Sequence, residues 1–154
     1  MKKILYVLLF LPCIVFASIE VNTDIKSVIK KHLHEREGFK VRQIVQGSVT
    51  GHTSNVKVVQ WTLMGASYWR NYITILDFSQ NNIEIYTKQL SGVIKSISIE
   101  NNLIIVKSKE KGPNDANCCP TLETTRYYKL DKTKLVEVNN PNKSLNSTPK
   151  SGAS

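Results

Sequence analysis

Cysteine is nearly absent from this chain: 154 residues contain three, Cys13, Cys118 and Cys119. Two of them are sequence neighbours, so no framework of bridges between distant segments can be built. No Cys-x-x-Cys pair, the usual redox-catalyst spacing, occurs either. Histidine is as scarce, at three residues. His32 and His34 lie two apart, which on a helix turns them to different faces and prevents joint zinc ligation. His52 stands alone, so no metal site is expected. Glu84, Glu100, Glu110 and Glu123 show no pairing suited to glycosidase chemistry. No nucleophile-elbow pattern surrounds any serine. Beyond residue 17 no apolar run approaches the roughly 20 residues needed to span a bilayer.

The apolar residues that are present begin with a leader. Met1-Lys2-Lys3 is followed by an apolar run from Ile4 to Phe16 and then by Ala17-Ser18. This is the layout of a cleavable secretory signal peptide over residues 1–17, with Val15-Phe16-Ala17 ahead of the cut. The run is too short for a permanent anchor. Pro12 occupies the place before Cys13 where lipid attachment requires a small residue. The expected destination is periplasmic or secreted, with no stable membrane anchor after cleavage. Cleavage removes Cys13 and two of the 21 bases, so 19 face 12 acids. That modest excess reads first as a solvated surface that happens to be basic, and second as an attraction to anionic headgroups, acidic glycans or an acidic partner. It lacks the dense basic stripe of a nucleic-acid binder.

Residues 18–138 read as one strand-rich domain. Asn22-Thr23-Asp24 offers N-cap side chains, and Ile25, Val28, Ile29 and Leu33 recur at helical spacing up to Gly38, which predicts a helix of about three turns. His32 falls at the edge of its apolar stripe. Eight runs rich in β-branched and aromatic residues follow: Lys40 to Val49, Val56 to Met64, Tyr68 to Phe78, Ile83 to Lys88, Val93 to Ile99, Leu103 to Lys109, Thr124 to Leu130 and Lys134 to Val138. Asn81-Asn82 and Asn101-Asn102 predict hairpin turns, because asparagine tolerates positive φ. Asp131-Lys132-Thr133 predicts a third. Short connections favour antiparallel neighbours. The expected class is α+β, mainly β: an N-terminal helix packed on an antiparallel meander of seven or eight strands. A helix-backed sheet is favoured over a barrel or sandwich, because the apolar helix face needs a surface to cover. Residues 139–154, polar and almost without apolar side chains, read as a disordered tail.

Cys118-Cys119-Pro120 is the most distinctive chemical feature. After leader removal no other cysteine can pair with either thiol. A strained disulfide between neighbours, two reduced thiols, or a bond to another molecule all remain open. The segment Asp115-Ala116-Asn117-Cys118-Cys119-Pro120-Thr121, with Tyr127-Tyr128 beyond it, resembles the Asp-x-x-Cys-Cys-Pro-Ser/Thr segment of uncharacterised secreted bacterial proteins, including the LppP/LprE lipoprotein type. The resemblance is local, covering about 20 to 30 residues around this segment. It implies an envelope protein of unknown biochemistry and brings no catalytic residues; the disulfide or loop-shaping role expected of Cys118, Cys119, Pro120 and Asp115 rests on the cysteine pair itself. A second likeness, of Val49–Val59 to calcium loops of the Thr-Gly-Asp-Gly-x-x-Asp layout, places His52 and Asn55 where carboxylates belong, so calcium is not expected.

Trp61 shares a strand face with Val59 and Leu63 and is expected in the core. Tyr68, Trp69 and Arg70 open the next strand. Ordinary packing is the favoured expectation for the aromatic pair. Adjacent strand residues face opposite ways, however, so one of the two could be exposed beside Arg70 as a protein or glycan contact. The favoured function is an exported non-catalytic binding protein without cofactor, engaging an unknown protein or envelope component; an inhibitor or immunity-type protein is one version. The alternative is a thiol-redox or hydrolytic enzyme acting through Cys118 and Cys119 or through a dispersed triad such as Ser67, His52 and Asp77.

Overall fold

A computed structural model describes residues 23–116 and 119–140. The expected signal peptide, Cys118 and nearly all of the expected tail lie outside the described residues. Helix α1 (Thr23–Lys30) is followed by strands β1 (Gly38–Gly47), β2 (Val56–Met64), β3 (Trp69–Asp77), β4 (Ile83–Leu90), β5 (Val93–Glu100), β6 (Leu103–Glu110), β7 (Leu122–Asp131) and β8 (Lys134–Val138). All pairings are antiparallel, in two four-stranded meanders ordered β1-β2-β3-β4 and β5-β6-β7-β8. The mainly β class and the helix-backed sheet are both present. The strands after β4 do not extend that sheet; they form a second one that covers its other face.

Side-chain alternation explains the three layers. On β2, Val56 and Val58 face the second sheet and join Ile73, Ile75, Ile97, Ile104, Val106, Tyr128 and Leu130 in one buried cluster. The opposite parity, Val59, Trp61 and Leu63, packs with Leu76 against Ile25, Val28 and Ile29 of the helix. A strand buried on both faces cannot show a clean polar alternation, which is why β2 reads as a nearly continuous apolar run. The helix is shorter than its pattern suggests. It ends at Lys30 and tightens into i→i+3 bonds through Leu33. Arg36, not a glycine, takes the left-handed conformation (φ 67°), and Gly38 opens β1 instead of capping the helix.

The asparagine pairs behave as their chemistry dictates. Asn81 and Asn82 have φ of 54° and 60°, and Asn101 and Asn102 have 51° and 58°, so each central pair of the turn is left-handed. The third turn places only Lys132 there (φ 56°).

The connections collect at two ends of the sandwich. Loop 48–55 crosses between the sheets at the closed end: the Thr50 amide donates to Asn102 O at 2.7 Å, and the Leu130 amide donates to Thr50 O at 2.9 Å. Gly51 makes this crossing possible, with φ 92° and a hypothetical Cβ only 1.7 Å from the Leu130 carbonyl oxygen. Gly51→Ala is therefore expected to lower Tm by about 10 °C or more, since the backbone conformation alone costs about 1–2 kcal/mol and the carbonyl clash adds to it. A thermal melt within about 2 °C of wild type would contradict this reading. The opposite end carries turn 65–68, the β4–β5 connection and loop 111–121.

Candidate functional site

Between the sheets, the inward rows of β2 and β3 turn from apolar to polar toward that opposite end. On β2 the sequence of inward residues is Val56, Val58, Gln60, Thr62, and on β3 it is Ile75, Ile73, Asn71, Trp69, with Gln60 opposite Ile73 and Thr62 opposite Asn71. The core therefore stops halfway, and the sheets open into a cleft of ≈ 470 Å³ lined by Arg42, Gln43, Gln60, Thr62, Trp69, Asn71, Val93, Ile94 and Lys95. That volume lies within the roughly 300–1,000 Å³ typical of small-ligand sites.

Two β-bulges supply its charge. Register slips between Val41 and Gln43 on β1 and between Ile94 and Ser96 on β5. The inserted residues are Arg42 and Lys95, one on each strand flanking the cleft. A bulge re-aims the side chain of the inserted residue, and here both cations line the cleft. Arg42 Nε donates to Thr62 Oγ1 at 3.1 Å, and Thr62 Oγ1 donates to Asn71 Oδ1 at 3.0 Å. Asn71 Nδ2 then donates to Gly92 O at 2.9 Å, fixing the β4–β5 connection. Neither Arg42 nor Lys95 takes part in an ion pair among the described residues. Among the described residues, no acid lines the cleft.

Gln43 bridges the flanking strands. Its Nε2 donates to Ile97 O at 2.8 Å, and the Ile97 amide donates to its Oε1 at 3.0 Å. A side-chain amide thus occupies the backbone positions that another strand would use on the outer edge of β5. Gln60 differs: it is only 5% exposed, and its carboxamide has no hydrogen-bond partner among the described residues. Buried amides are normally satisfied, so this one is available to whatever enters the cleft.

Trp69 stands on the rim and is 80% exposed. The packing favoured from sequence does not hold for it, because its inward parity points into the open cleft instead of the packed core. Tyr68 and Arg70, of opposite parity, face the helix side. Tyr68 donates its hydroxyl to Glu37 Oε1, its ring lies over Gly65, and the Arg70 guanidinium sits 4.9 Å from its centroid. Glu37 is held below the ordinary carboxylate range, first by the His34 amide and then by Tyr68, while Glu37 pushes the Tyr68 hydroxyl up. These contacts brace the turn that presents Trp69. A second hollow is lined by Ala66, Ser67, Tyr68 and Trp69.

Loop 111–121 rises at the same end, since Glu110 pairs with Leu122. Asp115 ties it shut: Oδ2 accepts from the amides of Gly112 (2.8 Å) and Thr121 (2.7 Å), and Oδ1 accepts from Thr121 Oγ1 (2.8 Å). The Gly112 amide, followed by the two Thr121 donors, keeps its carboxyl below the ordinary range. Cys119 is exposed, with its amide bonded to Ala116 O at 3.1 Å. The state of the cysteine pair involves Cys118 and so lies outside the described residues.

Of the dispersed triad, His52 and Asp77 meet at the closed end, while Ser67 lies at the far end of the β2–β3 hairpin, about 26 Å away at strand rise. Ser54 takes the place near His52. Its Oγ donates to Asp77 Oδ1 at 3.0 Å, so its proton goes to the carboxylate. His52 Nε2 is shared between Asp77 Oδ2 (3.2 Å) and Ser54 (3.0 Å). A triad needs the acid and the nucleophile on opposite ring nitrogens. This cluster instead ties loop 48–55 to the β3–β4 turn, where Ser79 donates to Asp77 through both Oγ and N.

The Ser79 hydroxyl leads in lowering the Asp77 pKa to about 2 from 3.8; burial opposes it, and Ser54, the Ser79 amide and His52 add to it. A lowered folded-state pKa gives stability that is complete above pH 3.8 and lost as pH falls toward 2. Asp77→Asn is therefore expected to lower the urea midpoint at pH 7, with the gap to wild type narrowing between pH 4 and pH 2. A gap independent of pH would contradict the assignment.

Fold and site together define a helix-backed antiparallel β-sandwich whose open end holds a polar, cation-flanked cleft beneath an exposed tryptophan. Comparison of the chain with family models, curated proteins and solved structures gives no match. The cleft residues Arg42, Gln43, Gln60, Thr62, Asn71 and Lys95 were not singled out from sequence. The available signal was the change from apolar to polar along one parity of two adjacent strands.

Proposed function

We propose that this chain is an exported, non-catalytic binding protein of the bacterial envelope that engages its partner through the open-end cleft, with Trp69 as the anchor. The observation that carries this reading is Trp69 itself, 80% exposed at a strand position with a paired backbone. Large exposed aromatics on rigid supports are the usual centres of binding energy. The bracing by Tyr68, Glu37 and Gly65 means that little ordering is left for binding to impose. Export rests on the leader at residues 1–17; among the described residues, no helix is long and apolar enough to cross a membrane. The resemblance of the Asp115–Thr121 segment to secreted proteins agrees with that placement. An inhibitor or immunity-type role is the version in which the partner is a protein.

Co-purification from a gently solubilised envelope fraction tests the proposal. The expected result is a component retained by the wild-type protein and lost from Trp69→Ala. Retention by both would remove Trp69 and its cleft from the account.

A further inference from the structure

We infer that the cleft takes an anionic oligosaccharide, specifically a carboxylated sugar stacked on Trp69 with its carboxylate held by Arg42 and Lys95. This deepens the binding reading above and rests on it.

Four features of the cleft argue for that chemistry. The exposed indole offers a flat, electron-rich face, which suits the C–H face of a pyranose ring. The nearly buried Gln60 carboxamide has no partner among the described residues, and it presents a donor and an acceptor side by side. Sugar hydroxyls are both donor and acceptor, so one amide can serve two of them. Arg42 and Lys95 bring positive charge without acids among the lining residues, and Lys40, opposite Thr62, adds a third cation on the same sheet face. Arg42 spends Nε on Thr62 and keeps its terminal nitrogens, the pair that grips a carboxylate.

The fourth feature separates a glycan from an acidic peptide. A peptide entering between β1 and β5 would add as a strand and use free backbone groups on those edges. The Gln43 amide already holds the Ile97 N–H and C=O, so β5 is capped where such a strand would dock.

The test titrates the mature protein with tetragalacturonate, its methyl ester and tetraglutamate, reading tryptophan emission. Trp61 is fully buried, so changes in acrylamide quenching report Trp69. Tetragalacturonate is expected to saturate and protect the indole, with the neutral ester and tetraglutamate each at least about tenfold weaker. Gln60→Leu should weaken the uronate about tenfold. Arg42→Gln and Lys95→Gln should weaken it several-fold and flatten its salt dependence. Tetraglutamate binding as tightly as the uronate would overturn the glycan assignment, as would equal binding of the ester. If no probe alters the emission while Trp69→Ala still loses the envelope partner, this inference fails and the binding reading stands. If Trp69→Ala also keeps the partner, both fail.

Discussion

Trp61→Ala is expected to cost about 3–5 kcal/mol, the range for truncating a fully buried aromatic. Trp61 is completely buried between the helix and the first sheet. Its ring stacks on Tyr72 at 4.6 Å with planes 15° apart. Its Nε1 donates to Thr74 Oγ1 at 2.9 Å. Thr74 meets Thr87 at 2.8 Å, Thr87 donates to Glu84 at 2.6 Å, and Glu84 bonds His32 Nε2 at 2.8 Å. This chain of polar groups runs under the end of the helix segment, so alanine leaves a cavity and frees one end of the network. Urea unfolding followed by near-UV circular dichroism checks the magnitude. A loss below about 1 kcal/mol would contradict the three-layer packing. Should Trp61→Ala fail to fold, Trp61→Phe keeps most of the volume and removes the Thr74 bond, with an expected cost of about 1–3 kcal/mol.

Trp69→Ala is expected to do the reverse: bind poorly and fold normally. A hot-spot aromatic is worth about 2 kcal/mol or more in binding, roughly thirtyfold in affinity. An exposed side chain away from packing changes stability by no more than about 0.5 kcal/mol. Tyr68→Phe separates presentation from contact. It breaks only the bond to Glu37, so it should loosen the turn and weaken binding by less than the loss of the indole. Side-by-side affinity and melting measurements on the two variants distinguish these roles. A Trp69→Ala protein that melts far below wild type would mean that the indole packs instead of binding.

Much of the fold was legible because local chemistry and tertiary packing agree. The Asn81-Asn82 and Asn101-Asn102 turns take the positive φ that their residue type favours, and the eight strands lie within a few residues of their expected bounds. Ile25, Val28 and Ile29 marked the helix face correctly. The helix length was over-read because Leu33 continues the spacing, while the backbone beyond Lys30 has already tightened into a turn. A sandwich was an alternative to the favoured single helix-backed sheet, and nothing in the Leu90–Val93 connection announces that β5 leaves the first sheet. Trp69 was named as a candidate contact, although packing was the favoured expectation. The rest of the cleft stayed hidden because Arg42 and Lys95 owe their position to two register slips that leave no sequence mark. Gln60 could have been noticed: it is a lone amide among the apolar residues of β2.

The most direct test of the central claim is acrylamide quenching of the two tryptophans in the mature protein, alone and with its captured envelope partner. Free protein should show one protected emitter, Trp61, and one readily quenched emitter, Trp69. In the complex the readily quenched component should become protected. Quenching that is the same in the free and bound states, with the partner fully occupied, would contradict the assignment of the open-end cleft as the binding site.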